Sequence, residues 1–222
     1  MDPILIADDH PLFRAALRQA VAGCFTDAPI TEADSLAAVQ HLVEAQRSFS
    51  LLLLDLHMPG THGFSGLIYL REQYPQTPLV VISASDEPDI MQRAVNFGAN
   101  GFIPKSTSLD TMTDALKAVL KGETWLPVTA RQSSATAASA SEQELARRIT
   151  SLTPQQFRVL GMLLEGMANK VIAIELNVSE ATVKAHMTAI LRKLGARNRT
   201  QAVLLLRDIA IDTAHAESAS DA

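Results

Sequence analysis

The 222-residue chain is predicted to fold as an α/β unit, doubly wound on a five-stranded parallel sheet, followed by a small all-α helix-turn-helix domain. Three observations predict this. Over residues 1–126, five short apolar runs alternate with five amphipathic stretches, the order expected of parallel strands with helices on both faces. Residues 150–212 carry helical periodicity and no strand-like run. Between them Gln132 to Ser141 reads QSSATAASAS, which has no large apolar residue to bury and so reads as a tether. The expected organisation is a first domain at 1–126, a linker at 127–149, a second domain at 150–212 and a flexible tail at 213–222.

In the first domain, strands are expected at 4–8, 30–33, 51–55, 79–83 and 101–103, mostly continuous apolar runs as befits strands covered on both faces. Helices fall near 11–22, 35–46, 64–74, 87–97 and 108–121. Pro11 and Ser35 suit helix starts, and Gly98 suits a helix stop. Glu142 to Ile149 predicts a short helix leading into the second domain. There Thr153-Pro154-Gln155-Gln156 is a capping box with proline at the first helical position, and Leu152 with Phe157 can form a staple. A short helix from Asn169 to Leu176 follows. Ser179 then caps a helix from Glu180 to Leu194. Val183, Met187, Ile190, Leu191 and Leu194 form the core face of that helix; Ala181, Lys184, Ala185, Thr188 and Arg192 lie opposite. A short helix, a tight turn and a longer helix with a small, basic outer face make a helix-turn-helix, whose second helix enters the major groove. In the last helix, Arg199 to Asp212, Leu204, Leu205 and Ile209 extend the apolar stripe, which suits a dimer seam or deep burial.

Charge divides the chain in the same way. Residues 1–126 carry 8 Lys/Arg against 15 Asp/Glu, whereas 151–212 carry 8 against 5, and Ala181 to Arg207 contains no acidic residue. A basic half fits nucleic acid. The single cysteine, Cys24, excludes an internal disulfide. No apolar run approaches the ~18 residues of a membrane span, and the expected compartment is the cytoplasm.

Three stretches carry chemistry. Asp8-Asp9 closes the run Ile4 to Ala7, Asp55 closes Leu51 to Leu54, and Lys105 follows Gly101 to Pro104. Charged groups at the C-terminal ends of buried strands are expensive to desolvate and converge on the crevice where such sheets bind ligands. Three carboxylates meeting there would repel one another without a hard divalent cation, and oxygen ligation suits Mg²⁺. His10, His57 and His62 fall nearby, but their spacing matches no zinc pattern.

Asp8-Asp9-His10, Leu54-Asp55-Leu56-His57-Met58-Pro59-Gly60, Val81-Ile82-Ser83-Ala84 and Gly101-Phe102-Ile103-Pro104-Lys105 resemble the signatures of the CheY-like receiver domain. The resemblance implies that Asp55 accepts a phosphoryl group from a histidine kinase. It implies that Asp9, Asp55 and the backbone carbonyl of His57 bind Mg²⁺, with Asp8 acting through water. Ser83 becomes the hydroxyl that turns toward the phosphate, Lys105 its counter-ion and Phe102 the aromatic that changes rotamer. Pro104 precedes Lys105, where many receivers place proline after the lysine, so no cis bond is inferred. Leu152-Thr153-Pro154, Asn169-Lys170-x-Ile172-Ala173, Val178-Ser179-Glu180-x-Thr182-Val183-Lys184-x-His186 and Leu191-Arg192-Lys193-Leu194 resemble the LuxR-type helix-turn-helix. That resemblance puts Lys184, Ala185 and Thr188 at base edges. Asn169, Lys170, Thr182, His186, Arg192, Lys193 and Arg199 become backbone contacts or their support. Together the halves resemble a response regulator of the NarL/FixJ type: not an enzyme, but a phosphorylation-controlled regulator with a histidine kinase and double-stranded DNA as partners, a homodimer when active. The other readings are a Mg²⁺-dependent phosphohydrolase with an aspartyl-phosphate intermediate, disfavoured because the acidic pair and the acceptor lie on different strands, and a phosphorylation-independent DNA-binding regulator. Without phosphate the acidic first domain is expected to cover part of the 181–199 surface. Phosphate at Asp55 is expected to let Phe102 turn inward.

Overall fold

The computed structural model describes residues 2–25, 28–45, 48–132 and 139–207. The first domain runs β1 (Ile4–Ala7), α1 (Pro11–Ala22), β2 (Ile30–Ala33), α2 (Leu36–Ala45), β3 (Leu51–Asp55), α3 (Ser65–Gln73), β4 (Leu79–Ser83), α4 (Pro88–Asn96), β5 (Gly101–Pro104) and α5 (Leu109–Leu120). All strand pairs are parallel, in the order β2-β1-β3-β4-β5. The expected elements are all present, with bounds within a residue or so. Strands β1, β3, β4 and β5 are buried at every position, as the continuous apolar runs require. The edge strand β2 is half-exposed and alternates Ile30, Thr31, Glu32.

Alternate residues feed two core layers. Ile4, Ile6, Leu51, Leu53 and Ile82 pack against α1 and α5. Leu5, Leu52, Leu54, Val81 and Phe102 face the other way, into a layer that continues into the second domain. The chain order reverses between β1 and β3, so the crevice beyond their C-terminal ends is the switch point where open parallel sheets bind ligands.

The stretch expected to be a linker is largely helical. It forms α6 (Val128–Gln132) and α7 (Ala140–Thr150), and residues 133–138 lie outside the described ones. Helix α7 begins two residues before the expected Glu142, because Ser139 and Glu142 cap it reciprocally. It buries Leu145 and Ile149 and packs against α3 and α10. Helices α8 (Pro154–Leu164), α9 (Asn169–Glu175), α10 (Glu180–Leu194) and α11 (Arg199–Arg207) follow. The Thr153 capping box and the Ser179 cap both form. Asn177 turns the chain between α9 and α10 at φ +51°, a conformation asparagine tolerates. Ile209 and the rest of the expected last helix lie outside the described residues.

The two domains are docked, but not as expected. Tyr69 of α3 stacks on Phe157 of α8, ring centroids 4.4 Å apart and planes 3° from parallel. Arg93 of α4 pairs with Glu142 of α7 at 2.7 Å, and Gln92 donates to the Ala130 carbonyl at 2.7 Å. The first domain therefore covers α7 and α8. It leaves Ala181, Thr182, Lys184, Ala185, Thr188 and Arg192 of α10 exposed, so the expected coverage of the outer α10 face is not found.

Candidate functional site

Parallel pairing sets the end of β1 beside the end of β3, with Ala7 in register with Leu54, and this brings Asp8 and Asp55 into one crevice. Both are fully buried, while Asp9 is partly exposed. Lys105, just past β5, places Nζ 2.8 Å from Asp8 Oδ2 and 2.8 Å from Asp55 Oδ2. Burial works against this ammonium, but hydrogen bonds and charge from Asp55 and Asp8 outweigh it and hold its pKa above the ordinary lysine value. The backbone N–H of His10 donates to Asp8 Oδ1 at 2.8 Å, and that of His57 donates to Asp55 Oδ1 at 2.9 Å. Each buried carboxylate is thereby held at both oxygens.

Three carboxylates and one ammonium leave the crevice with a formal charge of −2, which a divalent cation would neutralise. Donor atoms of Asp8, Asp9, His10 and Asp55 lie within 4.8 Å of one another, so hard oxygen donors dominate a pocket able to hold a metal ion. His10 belongs to this cluster. Its Nδ1 stands 2.6 Å from Asp9 Oδ1, a placement that spacing alone did not reveal. The His57 ring turns the other way, with Nδ1 3.4 Å from Ser83 Oγ and 3.8 Å from Asp55 Oδ1. Ser83 is fully buried and also accepts from the Ser85 N–H at 3.1 Å. The mouth is apolar: Leu12, 88 % exposed, and Phe13 flank it, and the Phe13 ring centroid lies 5.0 Å from Lys105 Nζ. Phe102 is already fully buried within the α2/α3/α4 layer. An inward turn of its ring is therefore not available from this conformation, contrary to the expected rotamer change.

On the second domain, the exposed face of α10 carries Thr182, Lys184, Ala185, Thr188 and Arg192, with His186 half-buried. Lys184 pairs with Glu180 at 3.1 Å one turn back. Asn169 and Lys170 begin α9, half-buried and exposed respectively. Two expected backbone contacts have partners inside the domain. Lys193 Nζ donates to Gln156 Oε1 at 2.7 Å and to the Ser151 carbonyl at 2.5 Å. Arg199 donates to the Leu163 and Met167 carbonyls at 2.8 and 2.9 Å, closing the C-terminal end of α8. Helix α10 ends at Gly195, φ +70°, where a Cβ would lie 2.5 Å from the Arg148 guanidinium that donates to the Leu194 carbonyl at 2.9 Å.

Residues 4–117 match the response regulator receiver domain family, and residues 150–206 match the luxR family of bacterial regulatory proteins. The chain is 40 % identical over 213 residues to the glycerol metabolism activator of Pseudomonas putida, covering 94 % of this chain and 96 % of that protein. It is 30 % identical over 201 residues to the nitrate/nitrite response regulator protein NarL of Escherichia coli K12, covering 90 % and 93 %. Among solved structures, RcsB of Salmonella enterica, bound to a promoter in the presence of the phosphomimetic BeF₃⁻, shares the fold with a TM-score of 0.54 at 22 % identity, over 94 % of this chain and 99 % of that one.

Proposed function

The chain belongs to the response regulators of the NarL/FixJ type, a receiver joined to a LuxR-type DNA-binding domain, and from that membership we propose that Asp55 is its phosphoryl acceptor. It is a phosphorylation-controlled, DNA-binding transcription regulator. The observation that carries the assignment is a fully buried Asp55 with Lys105 Nζ at 2.8 Å, beside the Asp8-Asp9 pair.

A carboxylate is a weak nucleophile, so positioning and charge must supply the rate. The P–N bond of a kinase phosphohistidine breaks as the bond from Asp55 to phosphorus forms. Asp9, Asp55 and the His57 backbone carbonyl would hold Mg²⁺, with Asp8 acting through water, and the ion would supply charge neutralisation for the transferring phosphoryl oxygens. Lys105, already against the acceptor, follows the new phosphate as its counter-ion, and Ser83 donates its hydroxyl to a phosphate oxygen. On the second domain, Lys184, Ala185 and Thr188 face base edges, and Asn169, Lys170, Thr182, His186 and Arg192 meet the DNA backbone. Lys193 and Arg199 support that surface from within. Paired effectors on two half-sites would meet through α11, where Leu204 is 52 % exposed.

Incubation with a small phosphodonor and Mg²⁺, read by intact mass, tests the reading. One phosphoryl group is expected on the native protein and none on Asp55→Asn or without divalent metal. A label on the Asp55→Asn protein would refute the assignment.

A further inference from the structure

Beyond α5 the chain turns back and runs beside β5, on the sheet edge away from β4. The Trp125 N–H donates to the Asn100 carbonyl at 3.0 Å, and the Phe102 N–H donates to the Trp125 carbonyl at 3.0 Å. The pairing is parallel, with Trp125 beside Gly101. Trp125 packs on the α1/α5 core layer, whereas Leu126 and Ala130 are buried in the opposite one. Residues 123–132 therefore lie over the sheet edge as a strap. Gln92 of α4 fastens its far end at the Ala130 carbonyl, 2.7 Å away, and the next residue, Arg93, holds α7 through Glu142. Gly101 makes room for the crossing: a Cβ there would lie 3.2 Å from the Trp125 carbonyl oxygen and 3.1 Å from Val119 Cγ2.

We propose that this strap is the device by which phosphate at Asp55 loosens the effector, an inference that rests on the acceptor reading above. Lys105 ties β5 to the acceptor, since its ammonium is bonded to Asp55 and follows a new phosphate. It stands three residues beyond Phe102, so a shift there reaches the joint with the strap. The Phe102 ring is already buried, which leaves its backbone bond to Trp125 as the part that can change. The two edges of β5 are unequally held. Its inner edge is in register with β4 at four positions, while its outer edge holds the strap through two backbone bonds. A displaced β5 stays with β4 and parts from the strap. Freed from β5 and α4, residues 123–132 extend to about 33 Å, close to the roughly 34 Å between half-sites one DNA turn apart. Phosphate shifts this equilibrium because its contacts favour the released form, and by linkage release then favours the anion at Asp55.

Trp125 is the only tryptophan of the chain, so its fluorescence reports on the strap directly. With Mg²⁺ and a small phosphodonor, or with BeF₃⁻ as the phosphoryl mimic, emission of the full chain should shift to the red and become more open to acrylamide quenching. Asp55→Asn should show neither change. Intact mass separates the two readings. A phosphoryl group on Asp55 with unchanged emission overturns the strap and leaves the acceptor standing; no phosphoryl group at all removes the acceptor, and the strap switch with it. Two variants test the linkage without phosphate. Gln92→Leu removes the fastening on α4, and Gly101→Ala crowds the crossing at the start of β5; both positions stand away from the acceptor crevice. Each should red-shift Trp125 with no phosphodonor present and, by calorimetry, bind BeF₃⁻ with Mg²⁺ about fivefold more tightly or better. A strap that only covers the sheet edge would give the red shift with unchanged or weaker BeF₃⁻ binding, and that result overturns the proposal. Gln92 is partly exposed, so its variant decides the matter even if Gly101→Ala does not fold.

Discussion

Two fully buried carboxylates, Asp8 and Asp55, share the single ammonium of Lys105. Removing it strands both charges in the crevice. Lys105→Met should therefore destabilise the metal-free protein by about 3–5 kcal/mol at neutral pH, measured by urea unfolding, and added Mg²⁺ should restore part of the loss. The pKa of Lys105 is raised on folding, so its stabilising contribution is complete below the ordinary lysine value of 10.5 and is lost only as pH rises past it. Stability unchanged by the substitution near neutrality would contradict this account. On α10 Lys184 and Arg192 are both exposed, and their expected contacts differ. Lys184→Ala should alter preference among sites, by about 1–3 kcal/mol at one base pair if its contact is direct. Arg192→Ala should weaken binding to all sequences alike and lower the log-log salt slope by about 0.9. Identical effects of both on every sequence, in fluorescence anisotropy, would remove the division of roles. Lys193, a natural choice for the phosphate test by sequence, is a poor one, since its ammonium is bonded to Gln156 and Ser151.

At the scale of elements, Arg199 shows how a basic residue can serve the fold before it serves DNA. Its bonds to the Leu163 carbonyl at the end of α8 and to the Met167 carbonyl just beyond it predict that Arg199→Ala costs about 1–3 kcal/mol of stability, seen as a lower thermal midpoint with DNA absent. A weakened DNA affinity with an unchanged midpoint would instead return Arg199 to the phosphate contacts. The strands and helices were legible because each is a local pattern: continuous apolar runs for β1 and β3, capping boxes at Thr153, and Pro11 at a helix start. The acidic set and its lysine were legible for the same reason, since β1, β3 and β5 each end on a charge after an apolar run. Helix α7 was legible only from Glu142 onward, because the low-complexity run around it masks Ser139 as a cap. What could not be read was how α7 and α8 meet the receiver. The Tyr69–Phe157 stack and the Arg93–Glu142 pair join residues that look like ordinary core and surface positions of separate domains, and no periodicity encodes contact across a linker. The orientation of His10 toward Asp9 is a side-chain choice, equally invisible in the spacing.

For the whole molecule, the docked arrangement changes what phosphorylation has to do. The outer face of α10 is already open, so phosphorylation is not required to uncover a hidden helix, and the docking of the effector against the receiver is the arrangement it can change. One group makes that docking sensitive to pH. His62, in the loop after β3, lies against α8, where burial disfavours its charged form while the Glu165 charge and the Gly161 backbone favour it. Burial dominates both and holds its pKa below 6.5, so the docked state prefers the neutral imidazole. Once undocked, the ring is solvated and its pKa returns toward 6.5. The contribution of His62 to docking is therefore complete above 6.5 and falls as pH drops through that value toward the lower docked pKa, because the undocked state binds the proton first. Small-angle scattering of the full chain should show a larger radius of gyration at pH 5.5 than at 7.5, by an amount set by the fraction undocked, and His62→Phe should flatten the response. The Arg93–Glu142 pair does not confuse the measurement. Burial tends to raise the Glu142 pKa, but bonds from Ser139 and the charge of Arg93 hold it below the ordinary 4.5, so that link is intact across the whole window and is lost only at more acid pH. A pH response that persists undiminished in His62→Phe would mean that another group titrates at the interface, and the latch would have to be sought elsewhere.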